Sequence, residues 1–222
     1  MVLILELTNY MENINISILQ RLKEAEVYAE KIVLDRLKQA APVYSEFYDL
    51  WRKNNRAESL DMMITDLKSN YTQFWLNEKY NKDIKKGFNM LLLEHSGLYG
   101  GELEAYAIDF EYSESGCPIF ELIDKRFTYL DNISCFPAFI MPILDNLTEN
   151  IQGREDDFNG WDDIMNIYEL YEATALVEVH KVLGLVVEES LFKELDLHTP
   201  FYFAVEEHDS GEVPKLVYMI NE

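Results

Sequence analysis

The pattern that comes closest to a known chemical motif lies just before the longest apolar-striped segment of the chain. A calcium-binding loop places oxygen ligands at positions 1, 3 and 5, glycine at position 6 and a bidentate carboxylate at position 12. Counted from Glu155, the residues Asp157, Asn159 and Gly160 match positions 3, 5 and 6. Position 12 is Asn166, which cannot supply two charged oxygens. The pattern therefore favours acids that lie at the positive end of a helix dipole over a calcium site.

A second group of candidate ligands lies in an acidic turn near the end of the sequence: Glu206, His208 and Asp209. Carboxylates and an imidazole can together hold a divalent metal ion. Glu206 and His208 share one face only if the strand that contains them continues that far. A charged hairpin tip explains the same residues without a ligand, so we predict neither a bound metal nor a cofactor.

Motifs for covalent catalysis are absent from the sequence. There is no Gly-x-Ser-x-Gly elbow, and His180 does not lie in an HExxH zinc pattern. The two cysteines, Cys117 and Cys135, have no base near them in sequence and form neither a CxxC pair nor a disulfide framework. We interpret them as buried thiols in a reducing cytoplasm and predict no catalytic residue.

The distribution of charge is the most informative property of the sequence. The 222 residues contain 19 basic and 41 acidic side chains, for a net charge of −22. Residues 1–86 contain 13 of each sign, so the whole excess belongs to residues 87–222, with 6 basic and 28 acidic side chains. A field of this sign repels nucleic acids and anionic membranes and attracts basic partners. Solubility alone is the simpler explanation of the same excess.

The functional hypothesis that follows is a cytoplasmic, acidic protein-binding module, in its most specific form an immunity-type inhibitor of a basic toxin or nuclease. A dense acidic surface speeds the capture of a cationic partner. The acids that we expect to contact it are Glu155, Asp156, Asp157, Asp162, Asp163, Glu169 and Glu172. The alternatives are a small metal-dependent enzyme or calcium-binding module, and a structural or scaffold protein. The sequence does not determine the oligomeric state.

The segment that must position most of these acids runs from Asn159 to Leu195. Its apolar residues recur every three or four positions, which predicts one buried helical face and a wet, negative opposite face. The stripe consists of Trp161, Ile164, Tyr168, Tyr171, Ala175, Val179, Val182 and Val186. Asn159 can cap the start of this helix. Because an unbroken helix over the segment would be about 54 Å long, we expect a break at Gly184.

The remaining elements are predicted from periodicity and from turn residues. Phe201 to Glu206 and Lys215 to Ile220 form a hairpin, with Phe201, Phe203 and Val205 on one face. Residues 1–95 are interpreted as all-helical except for a short strand or arm at 1–7, with a last helix over 79–95. A strand is expected over 103–112 and a helix over 142–151. Residues 119–130 are interpreted as a strand, with a short helix that begins at Pro118 as the alternative.

The predicted fold class is α+β. A helix-rich N-terminal part packs on a small, mostly antiparallel sheet, and a long amphipathic helix at about 160–195 precedes the C-terminal hairpin. The expected division is a nearly neutral helical subdomain over 1–95 and an acidic α+β part over 96–222, in one continuous globular unit. No apolar run approaches the roughly 18 residues of a membrane span, and the first residues lack the basic start of a signal peptide.

Overall fold

The computed structural model describes residues 2–77, 87–110, 127–129, 136–210 and 214–220, with side chains for all of these except 2–13, 109–110 and 127–129. The helices are α1 (Val2–Arg36), α2 (Pro42–Lys53), α3 (Arg56–Asn70), α4 (Pro142–Ile151) and α5 (Trp161–Glu188). The strands are β1 (Phe88–His95), β2 (Glu102–Phe110), β3 (Phe127–Tyr129), β4 (Phe136–Ile140), β5 (Leu197–Glu207) and β6 (Lys215–Ile220). The predicted α+β class is confirmed.

One mixed sheet contains all six of these strands. Five of the strands follow the order β3-β2-β1-β5-β6. The remaining strand, β4, pairs with residues 102–105 of β2, the strand that also pairs with β3. Every pair is antiparallel except β1 and β5, which are parallel neighbours at the centre. Their carboxyl ends therefore meet at one edge of the sheet, where Glu94 lies opposite Glu206 and His95 lies opposite Glu207.

Both faces of the sheet are buried along its central strands β1 and β5, and the faces of β5 are those that its alternation predicts. Phe201, Phe203 and Val205 belong to the large core beneath α5, as expected. Tyr202 and Ala204 point the other way, into a smaller cluster that includes Ile18 of α1. Since both sets of side chains exclude water, β5 contributes to two cores rather than to one.

The helix expected over 79–95 is wrong for residues 88–95, which form the strand β1. Residues 79–86 lie outside the described part of the chain. Met90 to Leu93 is a continuous apolar run whose side chains are all at most 1 % exposed, because β1 lies between β2 and β5 with both faces covered. Such a run shows no alternation, so periodicity cannot separate a central strand from a buried helix.

The first helix also differs from the expectation. Residues 1–7 are interpreted from sequence as a strand or arm, whereas α1 is already helical from Val2. This helix packs against α5 and β6. The helix at 142–151 is confirmed, and the strand over 103–112 is confirmed through Phe110. Of the expected strand at 119–130, only Phe127–Tyr129 lies in the described residues, and it is extended. The division of the chain at residue 95 stays a prediction.

The central helix α5 runs without a break through Gly184, so the expected break there is wrong. Its 28 residues make it about 42 Å long, and it contacts α1, α2, α3, α4 and β6 along that length. The helix ends instead at Glu188, where Ser190 has a positive φ of 59°. The Leu191 N–H donates to the Val186 carbonyl at 2.9 Å, which satisfies one of the last open carbonyls.

The other end of α5 corrects the capping prediction. The cap position is occupied by Gly160, with φ 152°, which has no side chain to accept a hydrogen bond from the first turn of α5. Asn159 instead donates from Nδ2 to the Gln39 carbonyl at 3.2 Å, which ties this turn to the end of α1. Among the described residues, no helix combines the length and the apolar composition needed to cross a membrane.

Candidate functional site

The seven acids predicted to contact a partner divide into exposed and buried members. Those that face solvent are Glu155, Asp156, Asp157, Asp162 and Glu169. Asp163 is 1 % exposed, and the side chain of Glu172 is 13 % exposed. The expected wet face of α5 is therefore wrong for Asp163, for Glu172 and for Glu178, which is 0 % exposed. The helix is covered on nearly all sides by α1, α2, α3 and the sheet.

Asp163 holds two helices together rather than facing a partner. Its Oδ1 accepts a hydrogen bond from Nε of Arg36 at 2.7 Å, so the last turn of α1 is joined to the first turn of α5. The neighbouring Tyr44 hydroxyl is buried, and burial together with the Asp163 charge raises its pKa well above the usual value. This ion pair is part of the packing between α1 and α5.

Glu172 belongs to a half-buried cluster at the carboxyl end of the parallel strands. Lys215 donates from Nζ to both carboxylate oxygens, at 3.1 and 3.2 Å, and His95 Nε2 lies 3.7 Å away. Burial acts to raise the pKa of Glu172, but His95 and Lys215 outweigh it, so the pKa is lowered. The Gly97 N–H donates to His95 Nδ1 at 3.2 Å, which leaves Nε2 to face the carboxylate.

Gly97 is required at this point of the chain for two reasons. Its φ is +61°, a conformation that residues with a Cβ rarely adopt, and a Cβ at this position would overlap the Glu207 carboxylate. The Tyr168 hydroxyl donates to Glu207 Oε2 at 2.8 Å and holds that carboxylate in place. The chain therefore leaves β1 in a single short turn, Gly97–Tyr99, that directs Tyr99 outward.

A cleft of about 270 Å³ lies between this turn, the end of α4 and the start of α5. We call it the aromatic cleft; its lining includes Leu98, Tyr99, Ile151, Glu155, Trp161 and Ile164. Tyr99 is 89 % exposed and Trp161 is 61 % exposed; among the described aromatic residues, only Tyr28, at 66 %, is comparably exposed. Large aromatic side chains are usually buried, so two exposed rings beside an apolar depression are typical of an interaction site.

The electrostatic surroundings of the aromatic cleft are negative. The last turn of α4, which contributes Ile151, contains no basic residue, so the partial negative charge of that helix end is not compensated within the helix. Asp156 and Asp162 are the chain neighbours of Glu155 and Trp161, which line the cleft. We call Glu155, Asp156 and Asp162 the acidic rim. A cation at the cleft would be attracted from both the rim and the helix end.

The acid next to the rim, Asp157, is compensated within the protein. Arg154 donates from Nε to Asp157 at 3.3 Å and from Nη2 to Glu46 at 2.8 Å, and its guanidinium lies 5.6 Å from the Phe47 ring centroid. In the described part of the chain, no basic side chain forms an ion pair within 4 Å with Glu155, Asp156 or Asp162, the acidic rim. Glu155 and Asp156 therefore keep their charge uncompensated beside the cleft, whereas the charge of Asp162 also acts on Arg36.

The two groups of candidate metal ligands have other partners. Asp157 pairs with Arg154, while the amide of Asn159 is bound to the end of α1. At the other group, β5 continues through Glu207, and His208 Nδ1 lies 2.6 Å from Glu94 Oε1. Glu94 raises the pKa of His208, as expected for an imidazole beside a carboxylate. Among the described residues, no three His, Cys, Asp or Glu side chains are arranged to hold a metal ion.

The aromatic part of the site was missed by sequence reasoning. Trp161 fits the apolar stripe of α5 and Tyr99 lies in a glycine-rich connection, so one is interpreted as core and the other as a linker. The available signal for an exposed ring was Tyr99 itself, which lies between glycines in a segment without helical or strand periodicity. No signal in the sequence connects it with a tryptophan 62 positions away.

Comparison with known proteins gives no match to a protein-family model, to a curated protein or to a solved structure.

Proposed function

We propose that this protein binds a basic protein partner through the aromatic cleft and its acidic rim. The observation that carries the proposal is the position of two exposed rings, Tyr99 and Trp161, beside the exposed acids of the acidic rim. Tryptophan and tyrosine are the residues that most often dominate the binding energy of protein interfaces. The net charge of −22 extends the attraction for a basic partner beyond the contact itself.

The two components of this surface act on different steps of binding. Exposed acids raise the association rate by long-range attraction, which salt screens over about 8–10 Å. Rings that become buried on contact slow dissociation, because their removal from water is reversed only when the complex opens. In its most specific form, the proposed function is inhibition of a basic toxin or nuclease in the cytoplasm.

Charge reversal tests the proposal once a partner has been identified by pull-down from native cells. The test variant replaces Glu155, Asp156 and Asp162 with Lys. The matched control replaces three exposed acids on other parts of the surface with Lys: Asp49, Asp61 and Glu188. Both variants change the net charge equally, so only the position of the charge differs. Exposed charges contribute little to stability, so both variants should remain folded in thermal melts.

Association kinetics at two salt concentrations then decide between position and net charge. We expect the acidic-rim variant to lose most of the association rate of the wild type at low salt, and the control variant to lose much less. The association rate of the wild type should fall steeply as salt rises while its dissociation rate changes little. A neutral or acidic partner, or equal effects of the two variants, would show that the proposed function is wrong.

A further inference from the structure

We infer that the aromatic cleft receives one arginine side chain of the partner, with its guanidinium against Trp161 and Tyr99 and its charge opposite Glu155. The inference rests on the proposed function, because it names the chemical group that the same surface recognises. It makes a separate claim, however, since a basic partner could bind the acidic rim through distributed charge without filling the cleft.

The first argument is an arrangement that the protein already uses twice internally. Arg56 lies 5.5 Å from the Trp51 ring centroid and pairs with Glu26 at 2.7 Å. Arg154 lies over Phe47 and pairs with Glu46, as described above. Each arrangement joins an arginine, the face of an aromatic ring and a carboxylate. Arginine suits this geometry because its planar guanidinium can stack on a ring while its N–H groups reach a carboxylate.

The aromatic cleft contains two of these three components. Trp161 and Tyr99 provide rings and Glu155 provides a carboxylate, but the residues that line the cleft include neither arginine nor lysine. The nearest arginine in the chain to Glu155, Arg154, is already paired with Glu46 and Asp157. No described residue that lines the cleft supplies the third component, so an arginine of a partner would complete the arrangement.

The size and the floor of the cleft fit a side chain rather than a larger ligand. Its volume of about 270 Å³ is below the roughly 300–1,000 Å³ typical of sites for drug-sized molecules. Leu98, Ile151 and Ile164 form apolar walls that can cover the methylene stem of an arginine, while the charged end stays near the rim. Lysine would keep the stem contact but cannot stack a flat cation on the rings.

Titration with short peptides tests the inference, with Trp161 as the reporter. The three tryptophans differ in exposure, since Trp51 is 7 % and Trp75 is 1 % exposed, so a change confined to the Trp161 indole identifies the cleft. The probes are a capped Gly-Gly-Arg-Gly-Gly peptide and the same peptide with lysine or with citrulline, which is neutral and has nearly the shape of arginine. The measurement is the chemical shift of each indole N–H in two-dimensional NMR spectra.

We expect a saturable shift of the Trp161 signal with the arginine peptide and binding about tenfold weaker with citrulline, because a charge-assisted hydrogen bond is lost. The lysine peptide should bind with intermediate strength. Absence of a saturable shift at the highest soluble peptide concentration, or equal binding of the arginine and citrulline peptides, would overturn the inference.

Substitutions separate this inference from the proposed function. Tyr99→Ala and Glu155→Gln should each weaken binding of the arginine peptide several-fold, whereas Tyr28→Ala removes another exposed ring, on α1, and should change nothing. Once a partner is known, Tyr99→Ala and Trp161→Ala should raise its dissociation rate. If that partner is basic and sensitive to charge reversal but indifferent to both ring substitutions, the arginine inference fails together with the part that the proposed function gives to the aromatic cleft, and only binding through the acidic rim stands. If the peptide binds but the partner proves acidic, the proposed function fails instead.

Discussion

Two groups of carboxylates share the same short region of the chain but have opposite environments. The acidic rim of Glu155, Asp156 and Asp162 faces solvent, whereas Asp163 and Glu178 are at most 1 % exposed. Asp162 and Asp163 are consecutive residues, so a rotation of about 100° around α5 is enough to move a carboxylate from water into the protein. Net charge therefore does not measure the charge that a partner meets.

The buried carboxylates also differ from each other in how their charge is balanced. Asp163 has a guanidinium at 2.7 Å, but neither oxygen of Glu178 has a hydrogen-bond partner among the described residues. Burial raises the pKa of Glu178 to about 7, although Ser59, Arg56 and Lys181 partly oppose that rise. Burial thus drives a carboxylate towards its neutral form where compensation of its charge is weak.

The largest effect is expected where the comparison is sharpest, at the consecutive acids Asp162 and Asp163. Asp163→Asn removes the charge that pairs with Arg36 and should lower the free energy of unfolding by about 2–3 kcal/mol, somewhat less than for a fully buried pair because Arg36 is partly exposed. Asp162→Asn should change it by less than about 0.5 kcal/mol. Urea melts of the two variants measure both values, and equal losses would contradict the assignment of Asp163 to the interior.

A pH-dependent effect is expected at Glu178. Because its pKa is about 7 in the folded protein and near 4.5 when unfolded, the folded state holds the proton more tightly. The contribution of Glu178 to the stability of the wild type should therefore fall by about 2–3 kcal/mol as pH rises from about 4.5 to 7. Glu178→Gln removes this loss, so its advantage over the wild type should grow across that range.

The matched control for this prediction is Glu188→Gln, which changes an exposed carboxylate on the same helix. Urea melts at pH 4.5 and pH 7.5, the two ends of the transition, give the free energies of unfolding of all three proteins. We expect the control to follow the wild type at both pH values. An advantage of Glu178→Gln that is the same at both pH values would show that folding does not raise the pKa of Glu178.

The smallest effect concerns the continuity of the helix that carries both groups. A Cβ at residue 184 would lie 3.5 Å from the Tyr218 ring, which is an ordinary contact. Since α5 is helical on both sides of Gly184, Gly184→Ala should raise the free energy of unfolding by about 0.5–1 kcal/mol. A thermal melt measures the change, and a clear loss of stability would point to a helix that breaks at this residue in solution.

Much of the fold followed from short-range patterns in the sequence. Alternation and the turn at Asp209 predicted the β5–β6 hairpin and its faces, and Pro142 marked the start of α4 correctly. These features depend on the conformational preferences of neighbouring residues. The strand β1 could not be predicted in the same way, because Phe88–His95 lies between β2 and Leu197–Glu207, about a hundred positions later, and its continuous apolar run shows no alternation.

The sequence by itself determined the fold class, the hairpin, most helices and the concentration of acidic residues after position 86. Only the tertiary structure decided which acids are exposed, because burial of Asp163 and Glu178 requires the packing of α1 and α3 against α5. It alone also brought Tyr99 and Trp161 to one cleft. Local patterns report backbone preference and amphipathicity, whereas burial and the assembly of a site depend on contacts between residues that are distant in the chain.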